Sequence, residues 1–254
     1  LFIDEEYHAS GILATRLLKK EQVITFSHND YHDLENKIKN CKSNGRFIIA
    51  IEGIYSMGGD LAPIEFFEIS TKYDCLLIVD EAHSSGVIGD NLLGIFDYYN
   101  IKPNKNHIKM GTLGKAYGSY GAYILASKNI IEFLLNRAKA IIYTTAPSIF
   151  DIALANEALK FILSNKTNLK NKIKKAQDIV NEELNIKTDS LIVAYEIADN
   201  KKVLEIQKIV KEKGYLVGAI RQPTVKKAII RLIAKIDVEE NDLRTVCKII
   251  KEYN

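Results

Sequence analysis

Cys75-Leu76-Leu77-Ile78-Val79-Asp80-Glu81-Ala82-His83-Ser84-Ser85-Gly86 decides the fold. Its apolar run does not alternate, and it stops abruptly at an acid, a histidine, two serines and a glycine. A strand that is apolar on every residue is covered on both faces, as in a parallel sheet flanked by helices. Open α/β sheets bind their ligands beyond the carboxyl ends of the strands, where these polar residues stand. Phe47-Ile48-Ile49-Ala50-Ile51 repeats the pattern and runs into the turn-rich Glu52-Gly53-Ile54-Tyr55-Ser56-Met57-Gly58-Gly59-Asp60. A third β-like run, Ile108 to Met110, leads into Gly111-Thr112-Leu113-Gly114-Lys115-Ala116-Tyr117-Gly118-Ser119-Tyr120-Gly121, and Ala122 to Ala126 leads out.

Helical patterns separate these strands. Asn29-Asp30 is placed to cap a helix from Tyr31 to Cys41 with Leu34 and Ile38 inward, and Pro63 opens another to about Tyr73. Alternating strands and helices at this spacing predict a right-handed, mostly parallel α/β layer. Upstream, Leu1 to Ile3 and Val23 to Phe26 read as short strands around a helix from Ala9 to Lys19. Leu1-Phe2-Ile3-Asp4 resembles the end of a buried strand and has no initiating methionine, so a chain lacking its N-terminal part is expected.

Beyond Lys115 a helix is predicted from Ile130 to Lys139, and after Pro147 the pattern changes. Helices are predicted from Ser148 to Leu163 and Asn168 to Leu184, then a strand from Ser190 to Ala194 and a helix from Lys202 to Lys213. Tyr215 to Ile220 and Ala228 to Ile233 read as paired strands, with Asp237 capping a last helix from Val238 to Tyr253. The expected organisation is a large α/β domain over residues 1–163 and a smaller α+β domain over residues 164–254.

The 254 residues are 47% hydrophobic and 26% charged, with a net charge of only +3, so nucleic acid is not an expected partner. Cys41, Cys75 and Cys247 lie far apart without a CxxC spacing, which argues against a disulfide framework or a zinc site and for a reducing cytoplasm. No apolar run reaches the roughly 18 residues of a membrane helix, and no signal peptide is visible.

His8, Ser56, Asp80, His83, Thr112 and Lys115 all fall at predicted strand ends. Taken singly, each has a plain role: His8 as a surface cap, Asp80 as a helix cap, His83 as a donor to a loop carbonyl, Ser56 and Thr112 as turn residues. Together they form one polar floor. A lysine amine there can condense with an aldehyde. An acid such as Asp80, facing a pyridine nitrogen, keeps that nitrogen protonated by opposite charge. The pair Asp80 and Lys115 is thus the arrangement that pyridoxal phosphate requires. His83, around the same turn as Asp80, could bond the ring's phenolic oxygen. His8 could stack on the ring, and Thr112 with adjacent backbone N–H groups could bind phosphate.

The chain resembles the α-oxoamine synthase family of fold-type I pyridoxal-phosphate transferases. Tyr7-His8-Ala9-Ser10, His28-Asn29-Asp30, Glu52 to Asp60, Val79 to Gly89, Gly111-Thr112-Leu113-Gly114-Lys115-Ala116, Tyr143-Thr144-Thr145 and Ala219-Ile220-Arg221-Gln222-Pro223-Thr224-Val225 carry the resemblance in order along the chain. It implies pyridoxal 5'-phosphate bound covalently by Lys115, which also moves protons at the substrate α-carbon. It implies Asp80 on the ring nitrogen, His83 and Ser56 on the ring-oxygen side, His8 over the ring and Thr112 on the phosphate. In a homodimer, Thr144 and Thr145 would reach the partner's phosphate. Arg221 would grip the amino-acid carboxylate, with Thr224 near the substrate. Ala219 to Val225 and Asp60-Leu61-Ala62-Pro63 look most like the member that joins L-alanine to a pimeloyl thioester; a glycine-specific member and an inactive fragment or non-catalytic subunit are the alternatives. Departures are Gly58, where members usually carry Asp, the run Ala234-Lys235-Ile236-Asp237, and the N-terminal stretch, with a cofactor-binding glycine loop, that members have before this start.

Overall fold

The computed structural model describes residues 1–254, which divide into two compact units. The first comprises Leu1–Tyr55 and Leu61–Ser164. Its elements are β1 (Phe2–Asp4), α1 (Ala9–Ala14), β2 (Ile24–Phe26), α2 (Tyr31–Asn40), β3 (Ile48–Glu52), α3 (Glu65–Lys72), β4 (Leu76–Asp80) and α4 (Ile95–Tyr98). They continue with β5 (His107–Thr112), β6 (Ala122–Leu125), α5 (Lys128–Arg137), α6 (Lys139–Ile142) and the start of α7 (Ile149–Leu184). One six-stranded sheet runs in the order β2-β1-β3-β4-β5-β6. All neighbours are parallel except β5 and β6, which pair antiparallel. Ile49, Ile51, Leu77 and Val79 are fully buried, as the unalternating apolar runs predict. The register sets Glu52 opposite Asp80 and Asp80 opposite Met110, so the carboxyl ends of β3, β4 and β5 line up side by side.

The second unit comprises Asn165–Asn254 together with the short loop Ser56–Asp60. After α7 come β7 (Ile192–Glu196), α8 (Asn200–Glu212), β8 (Gly218–Ile220), β9 (Ile229–Ile233) and α9 (Glu240–Glu252). The three strands form an antiparallel sheet in the order β7-β9-β8. Its core joins Ile179, Val180, Val203, Ile206, Ile230 and Ile250. The loop is tied to this unit by Gly59, whose φ is +75° and where a Cβ would lie 2.2 Å from the Ile192 carbonyl.

Several local expectations need correction. The helices predicted on either side of Leu163 are one helix, α7, of 36 residues. No glycine or proline interrupts Ile149 to Leu184, so Asn165-Lys166-Thr167 continues the turn rather than breaking it. The helix predicted to reach Lys19 ends at Ala14 and gives way to two 3₁₀ turns, Thr15–Leu17 and Lys20–Gln22. The strand predicted from Tyr215 is shorter, Gly218–Ile220. Asp237 does not cap the last helix: Glu239 stands at that position, and Asp237 instead pairs with Lys235. Asp30 does cap α2, accepting the Asp33 N–H at 2.9 Å. No helix is long and apolar enough to cross a membrane.

Glu81, next in sequence to Asp80, pins the turn after β4. Its fully buried carboxylate accepts the Ile95 N–H at 2.8 Å and the Ser84 hydroxyl, and lies 3.4 Å from Lys109 Nζ. Gly94 passes so close, at φ +97° and ψ −160°, that a Cβ there would stand 2.1 Å from Glu81 Oε2. That backbone region is open essentially to glycine alone. Gly94→Ala is therefore expected to destabilise the fold by about 3 kcal/mol or more, since it adds strain and displaces a buried charge pair. Denaturant unfolding measures this; a loss near zero would contradict the packing.

Candidate active site

The site residues of the first unit come from the carboxyl ends of its strands. Asp80 ends β4 and is buried. Its Oδ1 accepts the Ala82 N–H at 2.9 Å, and the rest of the carboxylate takes no other donor from the chain. Burial pushes the Asp80 carboxyl up from its ordinary range, while the Ala82 N–H and the charges of Lys115 and His8 pull the other way. A buried carboxylate with an unused acceptor is arranged for a cationic N–H donor.

Lys115 sits in the glycine-rich connection between β5 and β6, an exposed amine whose Nζ lies 2.8 Å from His83 Nε2. The His83 ring is thus held by the same turn that carries Asp80, and it meets the lysine directly. Gly111 lets the Tyr123 ring lie against the end of β5, where a Cβ would be 2.5 Å from it. Thr112 uses its hydroxyl to close the loop, donating to the Gly121 carbonyl at 3.2 Å and accepting the Gly114 N–H at 3.1 Å. His8 is exposed at the start of α1, where Nδ1 accepts the Ser10 N–H at 3.2 Å and lies 2.8 Å from the Ser10 hydroxyl. It is therefore a cap, as its plain reading held, and it also contributes charge to the Asp80 environment.

Asp80, His83, Thr112, Lys115 and His8 are brought together in the first unit. Thr144 and Thr145 lie in an exposed stretch after α6. Ser56 is buried within the second unit's loop, and its carbonyl accepts Arg231 Nε at 2.8 Å. Arg221 and Thr224 are exposed in the turn after β8, where the Thr224 N–H donates to the Arg221 carbonyl at 3.0 Å.

Two organising residues escaped the sequence reading. Glu81 is one. Asp4 is the other: fully buried, it accepts His28 Nδ1 and the Asn29 N–H at 2.9 Å and the Glu6 N–H and Tyr55 hydroxyl at 2.8 Å. Burial pushes the Asp4 carboxyl up, but these bonds outweigh it and hold it below its usual range. The available signal was an acid closing an apolar strand, the same signal that marked Asp80.

The chain matches the family described as aminotransferase class I and II over residues 1–250. It belongs to that family. It is 45% identical to 8-amino-7-oxononanoate synthase of Helicobacter pylori strain J99, over all of this chain and 68% of that protein. It is 36% identical to a protein of Aquifex aeolicus described as a putative 8-amino-7-oxononanoate synthase, over 94% of this chain and 66% of that protein. Among solved structures, Sphingomonas wittichii serine palmitoyltransferase superposes with a TM-score of 0.90 at 20% identity, covering 99% of this chain and 65% of that one. The 8-amino-7-oxononanoate synthase of Francisella tularensis gives a TM-score of 0.80 at 26% identity, covering 99% and 74%. The chain thus spans about two thirds of the length of these relatives. It has the fold-type I architecture of the α-oxoamine synthases, takes pyridoxal 5'-phosphate as its cofactor, and is of the pyridoxal-phosphate-dependent acyltransferase type. The residues fit that cofactor, since the unused Asp80 acceptor suits a ring N–H and the exposed Lys115 amine, beside His83, can condense with an aldehyde.

Proposed function

We propose that the protein carries out the decarboxylative condensation of L-alanine with a pimeloyl thioester, on CoA or an acyl-carrier protein, giving 8-amino-7-oxononanoate for biotin synthesis. The observation that carries this is the meeting of Lys115 Nζ with His83 Nε2 at 2.8 Å beside the buried Asp80, in a chain 45% identical to an 8-amino-7-oxononanoate synthase.

When bound, pyridoxal phosphate supplies an aldehyde and a cationic ring that accepts the electron pair left at the substrate α-carbon. Lys115 would hold the cofactor through its aldehyde and would move the proton at the substrate α-carbon. Asp80 would accept the ring N–H and favour its positive charge by opposite charge. His83 would take the ring-oxygen side, and it meets the lysine amine. His8 would stack on the ring face. The backbone N–H groups after Thr112 would take phosphate oxygens, and Ser56 is proposed for the ring-oxygen side. Thr144 and Thr145 would bind the phosphate of a second copy in a homodimer, which the neighbouring exposed Tyr143, Ile149 and Phe150 favour as an apolar contact surface.

The substrate carboxylate needs a planar cation. Arg221 fits the motif but is exposed. Arg231 on β9 is half-buried, its Nε is anchored on the Ser56 carbonyl, it makes no ion pair with the chain, and burial pulls its pKa down. An arginine so placed reserves its terminal N–H groups for an anion, and we assign the carboxylate to Arg231. Arg231→Ala is expected to raise KM for L-alanine by about 100-fold, the loss of a bidentate charged pair. Arg221→Ala is expected to raise it by less than about 3-fold. The reverse order in steady-state kinetics would return the role to Arg221.

The reaction is tested by product analysis with paired substrates. L-Alanine with a pimeloyl thioester should give 8-amino-7-oxononanoate and carbon dioxide. Turnover only of glycine with acetyl-CoA would overturn the substrate assignment while keeping the chemistry.

A further inference from the structure

Tyr7 is a buried phenol that the mechanism above does not use. It stands between β1 and α1, with its ring over Gly11, where a Cβ would be only 2.1 Å from Tyr7 Cε1. The helix therefore gives up a side chain so that this ring can occupy the space. The Tyr7 hydroxyl faces Met110 Sδ at 4.0 Å, and a thioether is a weak acceptor. Met110 is the cross-strand neighbour of Asp80, and Asp80 is the neighbour of Glu52. The hydroxyl thus lies at the end of a row formed by Glu52, Asp80 and Met110 on three adjacent strands. Burial and the charges of Asp80 and Glu52 push its pKa up, so it stays a proton donor at any working pH. Asp80 accepts a single donor from the chain, the Ala82 N–H.

We infer that Tyr7 is a positioning residue: its hydroxyl donates to the Asp80 carboxylate when the cofactor ring is in place, fixing the oxygen that faces the ring nitrogen. A phenol suits this task better than a cation, because it steadies the carboxylate without neutralising the charge that the ring nitrogen requires. Such bonds are often long before the ligand arrives and shorten in the complex. The inference rests on the functional reading given above.

Tyr7→Phe removes the oxygen and leaves the ring over Gly11. In the whole protein, Y7F is expected to melt close to the wild type and to bind added pyridoxal phosphate about tenfold more weakly. The visible spectrum of the bound cofactor should change, and kcat should fall about tenfold with KM for L-alanine unchanged, as for one hydrogen bond to a charged group. Gly11→Ala pushes the ring aside and should reproduce the weaker binding. Wild-type affinity, spectrum and kcat in Y7F would overturn the role of Tyr7 alone, provided that the wild type takes the cofactor on Lys115. If the wild type does not, the functional reading fails and the inference falls with it.

Discussion

Lys115→Ala is expected to abolish covalent capture of pyridoxal phosphate and to lower turnover by at least about 10³-fold. Two roles disappear at once, the amine that holds the aldehyde and the base at the α-carbon, and general base catalysis alone contributes about 10²–10⁴-fold. The fold should not register the change. Lys115 is exposed in a glycine-rich loop, and surface substitutions of this kind stay within about 0.5 kcal/mol. Turnover and unfolding on the same preparation separate the two effects. A variant that unfolds would place Lys115 in the scaffold, and one that keeps turnover would remove it from the chemistry.

Asp80→Asn is expected to be nearly as damaging to turnover and to leave the cofactor-free fold intact or slightly stabilised. An ion pair between a carboxylate and a ring N–H about 3 Å away is worth on the order of 5 kcal/mol at an effective dielectric of about 20, before desolvation is subtracted. Its loss should cost about 10³-fold in turnover and weaken cofactor binding. The stability expectation follows from the pKa. Burial raises the Asp80 carboxyl above its unfolded value, so the charged form is penalised by folding, and an uncharged side chain removes that penalty. Acid should therefore stabilise the cofactor-free wild type at this site, as pH falls through the raised folded pKa to the unfolded one, and should leave D80N unaffected there. Equal loss of stability and turnover in D80N would mean that Asp80 is a structural acid only.

The sheet was legible because its strands are apolar without alternation. Ile48–Glu52 and Leu76–Asp80 fall where Phe47–Ile51 and Cys75–Val79 run, and the first polar residue marks each strand's carboxyl end. The lysine loop was legible for the same reason, from glycines between two β-like runs. Two things were not. The continuity of α7 depends on the absence of a breaker rather than on a positive signal, and Asn165-Lys166-Thr167 imitates a turn. The roles of Asp4 and Glu81 depend on donors distant in sequence, Tyr55 and His28 for one, Ile95 and Lys109 for the other.

The most direct test of this account is to add pyridoxal phosphate to the protein, reduce the mixture with borohydride, digest it and locate the pyridoxyl label by mass spectrometry. The account predicts a single label on Lys115, absent in K115A and weakened in D80N. A label on any other lysine, or none on a folded protein, would contradict it.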